Sequence, residues 1–264
     1  MRVWVEGVGL AVPGLRGWLA SRSILSGEAE YTPAPTELAA SALLPPAERR
    51  RTGVPIKLAL AVGSEAFAHA ARSPSTTATV FASSGGDGEN VHQICMALST
   101  PEREVSPTRF HNSVHNAPAG YWGIAVSSRE PSTSVCAYDW SFAAGLLEAS
   151  VQVAADGIPV ALIAYDHRYP SPLDGVRPIS SDLGVALVLA PERTARTTAS
   201  LDVTFVPSPA RATGMTDPAL ETVRVTVPAG RSLPLLAALT HSTEHMVILD
   251  YGSGSHLRVA VARC

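Results

Sequence analysis

Residues 106–166 read SPTRFHNSVHNAPAGYWGIAVSSREPSTSVCAYDWSFAAGLLEASVQVAADGIPVALIAYD, and the middle of this stretch decides the fold. Thr133 to Ala137 is short, apolar and partly β-branched, as a buried strand should be. Tyr138 and Asp139 form a turn. Ser141 to Ala155 then brings Phe142, Leu146, Ala149 and Val153 onto one helical face. Pro159 to Tyr165 reads as a second buried strand. A helix that follows a strand across a sharp elbow offers free backbone N–H groups and a partial positive charge at its start. Such a place lowers a thiol's pKa and can cradle an oxyanion.

Outward from this unit, strands and helices alternate. Val3 to Leu10 is the first strand. Val12 to Tyr31 is a loop with a short helix around Arg16 to Ala20, and Pro33 to Pro46 is irregular. A helix runs from Pro55 to Ala71 with Leu58, Val62, Ala66 and His69 near one side. Thr77 to Ala82 is a strand ending in the flexible turn SSGGDGEN, 83–90, and Val91 to Leu98 is a short helix. A Pro-rich loop, Tyr169 to Pro178, leads to the strand Leu183 to Ala190. Beyond it, Leu201 to Val206 and Thr222 to Val227 read as strands and Ser232 to Thr240 as a helix. Met246 to Tyr251 and His256 to Ala262 read as a hairpin around 252–255. Alternation of this kind predicts an α/β layered fold.

Composition narrows the class. The chain has 264 residues, 46% hydrophobic and 16% charged, enough to bury a core without covalent staples. A net charge of −3 gives no footprint for nucleic acid or an anionic membrane surface. The three cysteines, Cys95, Cys136 and Cys264, fit neither a disulfide framework nor a CxxC zinc pattern, which points to a reducing, cytoplasmic setting. VWVEGVGL near the N-terminus has no leader-like pattern, and no apolar run is long enough for membrane insertion.

The stretch around Pro131-Ser132, the following strand, the helix and Gly157 resembles the nucleophile elbow of β-ketoacyl synthases, the condensing enzymes of the thiolase fold. In that family a cysteine in an Ala-Cys-x-Ser type turn heads the helix. Here the slot falls on Asp139 when counted from the strand and on Trp140 when counted back from Gly157. Neither is a thiol, and Cys136 is expected to lie buried within the strand. The segments that would supply the family's two catalytic histidines have no counterpart. The resemblance implies a layered thiolase-like fold, truncated in its second half: residues 1–195 correspond to the N-terminal half, and residues 196–264 to a shortened remnant packed on it as one unit.

FHNSVHNAPAGYW, Phe110 to Trp122, is similar to a segment of the short ketosynthase-like proteins of aryl-polyene pigment pathways, where the wider family places a helix near the dimer axis. This implies an interface carrying Phe110, His111, Asn112, His115, Asn116, Tyr121 and Trp122, with a polar cap that satisfies its own backbone as the plainer alternative. Phe110, Tyr121 and Trp122 are the kind of anchor enriched at hot spots. His111 and His115, like His241 and His245, have an i, i+4 spacing that zinc can use, but no further ligand stands near either pair. No metal and no cofactor is expected.

Ser141 is the one hydroxyl nucleophile on the elbow. It lies outside a G-x-S-x-G motif and at a helix start, where serine is ordinary. The glycines of 85–88 form neither a Walker A loop nor G-x-G-x-x-G. Arg49, Arg50 and Arg51 could attract an acidic acyl carrier protein, or simply face water at a helix start. The resemblance thus implies a chain-length-factor-type subunit without condensing activity of its own. It would pair with a full-length β-ketoacyl synthase or self-associate, with an acyl carrier protein delivering substrate. Two other readings are an acyltransferase or hydrolase using Ser141, and a stand-alone module binding an acyl chain or carrier protein.

Overall fold

The structure, a computed structural model, describes residues 1–38 and 43–264. The strands are β1 (Arg2–Val12), β2 (Leu15–Arg16), β3 (Ala78–Ala82), β4 (Ser132–Val135), β5 (Val160–Asp166), β6 (Leu183–Ala190), β7 (Ala199–Val206), β8 (His245–Tyr251) and β9 (Ser255–Arg263). The helices are α1 (Trp18–Leu25), α2 (Pro46–Arg49), α3 (Val54–Ala70), α4 (Gly88–Leu98), α5 (Pro107–Asn112), α6 (Ala117–Val126), α7 (Ser141–Asp156), α8 (Leu173–Val176), α9 (Pro218–Thr226) and α10 (Leu233–Ala238). The strands form one sheet in the order β4-β3-β5-β6-β1-β7-β9-β8, with β2 paired to the end of β1. β3 runs parallel to both β4 and β5, and the other pairings are antiparallel. β7, β8 and β9, which follow residue 195, therefore join the same sheet through β1.

Both faces of the sheet are covered, so its central strands are apolar throughout rather than alternating. β5 shows how the two-residue period divides the core. Val160, Leu162 and Ala164 enter one cluster with Leu146 and Val153 of α7, while Ala161, Ile163 and Tyr165 enter the other with Val62 of α3 and Trp122 of α6. Helix α3 sits close on β1 because Gly7 and Gly9 have no side chains: a Cβ at Gly7 would overlap the Ala66 carbonyl oxygen. The same helix turns its polar groups to the strand. His69 Nδ1 accepts the Val8 N–H at 3.0 Å, and Glu65 accepts that of Leu10 at 2.9 Å. On the other face Gly145 lets α7 meet β5, where an added Cβ would lie 2.7 Å from Leu162. Gly157, in the left-handed region at φ 66°, ends that helix.

Several sequence expectations change. Thr222 to Val227, TVRVTV, alternates like a strand but forms the end of α9. Asp217 caps this helix, accepting the N–H groups of Ala219 at 2.8 Å and Leu220 at 3.0 Å, and Pro218 occupies its first turn. A strong start signal overrides weak β propensity. The strand expected over 133–137 is Ser132–Val135, so Cys136 lies beyond it and is exposed, not buried. The first helix sits at Trp18–Leu25 rather than around 16–20. The Pro-rich loop after β5 contains the short α8. Of the segment read as irregular over 33–46, residues 39–42 lie outside the described residues.

Candidate functional site

The parallel strands β3, β4 and β5 end on the same edge of the sheet, the usual place for a binding crevice in an open α/β fold. Three connections meet there: 83–88 after β3, 136–140 after β4, and the segment after Asp166.

The β4–α7 connection is a true elbow. Tyr138 has φ 53°, a left-handed conformation that costs a non-glycine residue free energy. The strained position is thus Tyr138, ahead of both slots counted in the sequence. Ser141 closes the elbow. Its Oγ accepts the Ala137 N–H at 3.0 Å and donates to the Tyr138 carbonyl at 2.7 Å, and the residue is 1% exposed. Among the described residues no imidazole is bonded to it, so the geometry gives Ser141 a structural role and does not prepare it as a nucleophile.

Asp139 is held between two cations, with Oδ1 at 2.7 Å from Arg177 and Oδ2 at 3.3 Å from Arg231, which also reaches Asp250 at 3.0 Å. The Arg177 guanidinium carbon lies 3.6 Å from the centre of the Tyr138 ring, a cation–π contact. Trp140 points elsewhere. It lines a space of about 10 Å³ with Phe142, Thr213 and Ile248, whereas Tyr138 lines a cavity of about 380 Å³ with Val91, Tyr169, Leu173 and Val176. Cys136 lies near the elbow, its thiol donating to the Ser84 carbonyl at 3.2 Å.

The glycine turn after β3 is a seat for an aromatic ring: a Cβ at Gly85 or Gly88 would overlap Tyr169. Beneath it lies Asp166, 2% exposed. Its carboxylate accepts the Ser84 N–H at 2.9 Å, the Ser84 hydroxyl at 2.6 Å and the Ala229 N–H at 2.8 Å. It thereby ties the β3 turn to the 3-10 turn Pro228–Ser232, which carries Arg231. His167, buried beside it, accepts the Gly88 N–H at 3.1 Å, and burial pushes its pKa down.

Burial outweighs the donors and pushes the Asp166 pKa up to about 6 from 3.8, despite the field of Arg177. Tyr165 and Tyr169 also face this carboxylate, and its field adds to the burial that raises their phenol pKa values. Between 3.8 and about 6 the unfolded chain is ionised here while the native state holds its proton, so this group's stabilisation is lost as pH rises through that window. Asp166→Asn abolishes that dependence. From pH 4 to pH 6.5 the variant should gain up to about 3 kcal/mol relative to the wild type in urea unfolding. An unchanged difference between the two proteins across this range would refute it.

The other sequence candidates scatter. Phe110 is 71% exposed, and His111 and Asn116 are exposed. Tyr121 and Trp122, expected at an interface, are core residues of this chain; Trp122 stacks on Phe67 at 5.5 Å. Asn112 also points inward, donating to the Arg51 carbonyl at 2.8 Å. The segment is broken between α5 and α6, so His111 and His115 do not share a helical face; His115 Nε2 lies 3.2 Å from the Ser83 carbonyl. The His241 and His245 rings lie 4.3 Å apart, tilted by 40°, and among the described residues no group of three or more His, Cys, Asp or Glu side chains could hold a metal ion. Arg49 donates to the Leu44 carbonyl and Arg51 to Glu48, each at 3.1 Å, while Arg50 is exposed. Arg50 and Arg51 border a polar cleft of about 510 Å³ with Lys57, Arg109, Asp87 and His167. No described helix is long and apolar enough to cross a membrane.

The elbow's strained tyrosine, the Asp166 tie and the Arg177 contacts had no local signal in the sequence. Only the glycines at 85 and 88 hinted at close approach.

Comparison with solved structures shows where this architecture occurs. The chain is similar to a ketosynthase (ApeO) in complex with its chain length factor (ApeC) from Xenorhabdus doucetiae, with 22% identity, TM-score 0.72 and alignment over 100% of both chains. It is similar to the ishigamide ketosynthase/chain length factor at 14% identity and TM-score 0.73, over 99% of each chain. It also resembles a type II PKS acyl-carrier protein in complex with its ketosynthase bound to the hexaketide (AntDE:AntF), at 12% identity and TM-score 0.75, over 100% of this chain and 99% of that one. These are likenesses of fold. No curated protein matches the sequence significantly. The family model for the β-ketoacyl synthase N-terminal domain matches residues 24–248 and so includes β3 to β7, the elbow and the Asp166 tie. The chain therefore belongs to the β-ketoacyl synthase family, through its N-terminal domain.

Proposed function

We propose that this protein is a non-catalytic, chain-length-factor-type subunit. It pairs with an active ketosynthase in chain elongation of the type II polyketide, aryl-polyene or fatty-acid-like kind. The observation that carries this reading is the elbow itself. Its strained residue is Tyr138, whose ring is covered by Arg177 and whose neighbour Asp139 is paired to two arginines. A phenol there offers no thiolate, and the neighbouring carboxylate is engaged by Arg177 and Arg231. The stretch after residue 195 serves as a reduced counterpart of a ketosynthase second half, and the cytoplasm is the setting.

Surface chemistry supports a partner. Val91, Met96, Leu98, Phe110 and Val114 are exposed large apolar side chains on α4, α5 and the turn after α5, adjoining the edge that carries the elbow. A single folded chain rarely leaves so many together without a use. Acyl carrier protein would approach the cleft bordered by Arg50, Lys57 and Arg109, drawn by charge.

The test is coexpression with a full-length ketosynthase and a mass measurement of the purified complex; recovery of this chain alone under all conditions would refute pairing. Asn116→Arg sets a new charge on an exposed side chain of the segment and should weaken association by about tenfold or more, read by size exclusion, with circular dichroism unchanged. Asn112→Arg is not an equivalent probe, because Asn112 is 5% exposed and its loss would disturb the fold itself.

A further inference from the structure

Two serine hydroxyls stand at the crevice, and they face different acceptors. Ser141 Oγ donates to a backbone carbonyl, which is no base. Ser84 Oγ donates to the Asp166 carboxylate at 2.6 Å. A hydroxyl bonded to a carboxylate is a nucleophile with its base in reach. A third set of groups orients that base: the Ser84 N–H on one oxygen at 2.9 Å and the Ala229 N–H on the other at 2.8 Å. Burial pushes the Asp166 pKa up to about 6, close to where a general base works at neutral pH. Tyr165, Tyr169 and Arg177 are the other ionisable groups whose charge is felt there.

Ser84 is 7% exposed and lines the depression of about 380 Å³. Val91, Tyr138 and Val176, all exposed, make much of that lining apolar, and Arg177 adds a cation to it. The depression is open, so a substrate enters without any movement of the chain. The N–H of Gly85, the residue after Ser84, bonds no acceptor among the described residues. Serine hydrolases take an oxyanion donor from that position. The Tyr169 phenol rests on Gly85 beside Ser84 and offers a second donor, which burial keeps protonated.

We propose that Ser84 and Asp166 form a nucleophile–base pair that hydrolyses acyl thioesters and esters carrying an apolar chain. Ser84 Oγ attacks the acyl carbonyl carbon, and its proton passes to Asp166 Oδ1. The C–S bond of a thioester then breaks, and the departing sulfur takes that proton and leaves as a thiol. Water attacks the acyl-serine ester and gives a proton to Asp166. The C–Oγ bond breaks, Ser84 Oγ recovers the proton, and the carboxylic acid leaves. One thioester and one water become one acid and one thiol. No carbon–carbon bond forms, so the outcome bears neither on condensation nor on pairing with a ketosynthase.

The experiment treats the full chain with a fluorophosphonate, which phosphonylates an activated serine with loss of fluoride, and locates the adduct by peptide mass spectrometry. Hydrolysis of the octanoyl thioester of N-acetylcysteamine is followed in the wild type, Ser84→Ala and Asp166→Asn, with circular dichroism as the folding control. The adduct should fall on Ser84 and be lost in Asp166→Asn. Each variant should hydrolyse the thioester about 100-fold more slowly than the wild type, or slower still, the scale set by a positioned base. No adduct on Ser84 after prolonged exposure to excess reagent would overturn the proposal. Wild-type hydrolysis within twofold of Ser84→Ala would overturn it too, as would an adduct on Ser141 or Cys136 in place of Ser84. If Ser84→Ala does not fold, the adduct on the wild type decides alone.

Discussion

Purified alone, the protein will show no malonyl-dependent condensation of acyl thioesters. Removing a single catalytic nucleophile from an enzyme whose residues act as a unit commonly costs on the order of a million-fold in rate. Here the elbow presents Tyr138 in the strained position, with Arg177 against its ring and Asp139 already paired. Tyr138→Cys puts a thiol on the elbow, but condensation also needs a proton acceptor and an oxyanion site in register with it. The charged side chains against the Tyr138 ring and the Asp139 carboxylate are arginines, which cannot accept a proton at neutral pH. We therefore expect Tyr138→Cys to become open to alkylation and to remain without turnover. Condensation by the wild-type chain at ordinary enzyme rates would end the non-catalytic reading. So would acylation of Cys136, the exposed thiol beside the elbow, by an acyl-thioester probe at a rate matching turnover.

Trp122→Ala will cost the protein about 3–5 kcal/mol of stability, the range for large aromatic side chains removed from a packed core. The ring is 2% exposed and stacks on Phe67 at 5.5 Å. A Cβ at Gly63 would sit 2.5 Å from it, so α3 and α6 approach each other across this one indole. Nothing small enough to leave the backbone in place could refill that volume. For a chain of this size the loss corresponds to a fall in Tm of roughly 10 °C, measurable by calorimetry. An interface tryptophan would behave otherwise: the lone chain would keep its Tm and lose only association. A Tm within 2–3 °C of the wild type, about what 1 kcal/mol produces at this length, would return Trp122 to the surface.

The sequence by itself determined the elements whose signals are local. The β4–α7–β5 unit was legible because a short apolar run, a helical stripe at Phe142, Leu146, Ala149 and Val153, and a glycine at 157 each act within a few residues, although β4, read as buried, is an edge strand with no buried residue. The hairpin of β8 and β9 was legible for the same reason. TVRVTV was not, because its alternation had to be weighed against the cap at Asp217, and a capped helix packed through Leu220 and Val223 was the better use of the segment.

Only the tertiary structure decided what lies inside and what lies out. Tyr121 and Trp122 are large and apolar, which suits a core or an interface equally; the space left beside Gly63 and Phe67 settled it. Cys136 is exposed because β4 stops two residues earlier than its composition suggests. Tyr138 became the elbow's strained residue through the Ser141 hydroxyl, which draws Ala137 and the Tyr138 carbonyl together. The tie at Asp166 and the contacts of Arg177 join groups from β5, from the turns after β3 and β4, from the loop before β6 and from the turn before α10. Charges and donors so far apart along the chain leave no periodicity or spacing to read, because it is the crossing of parallel strands that puts their ends side by side.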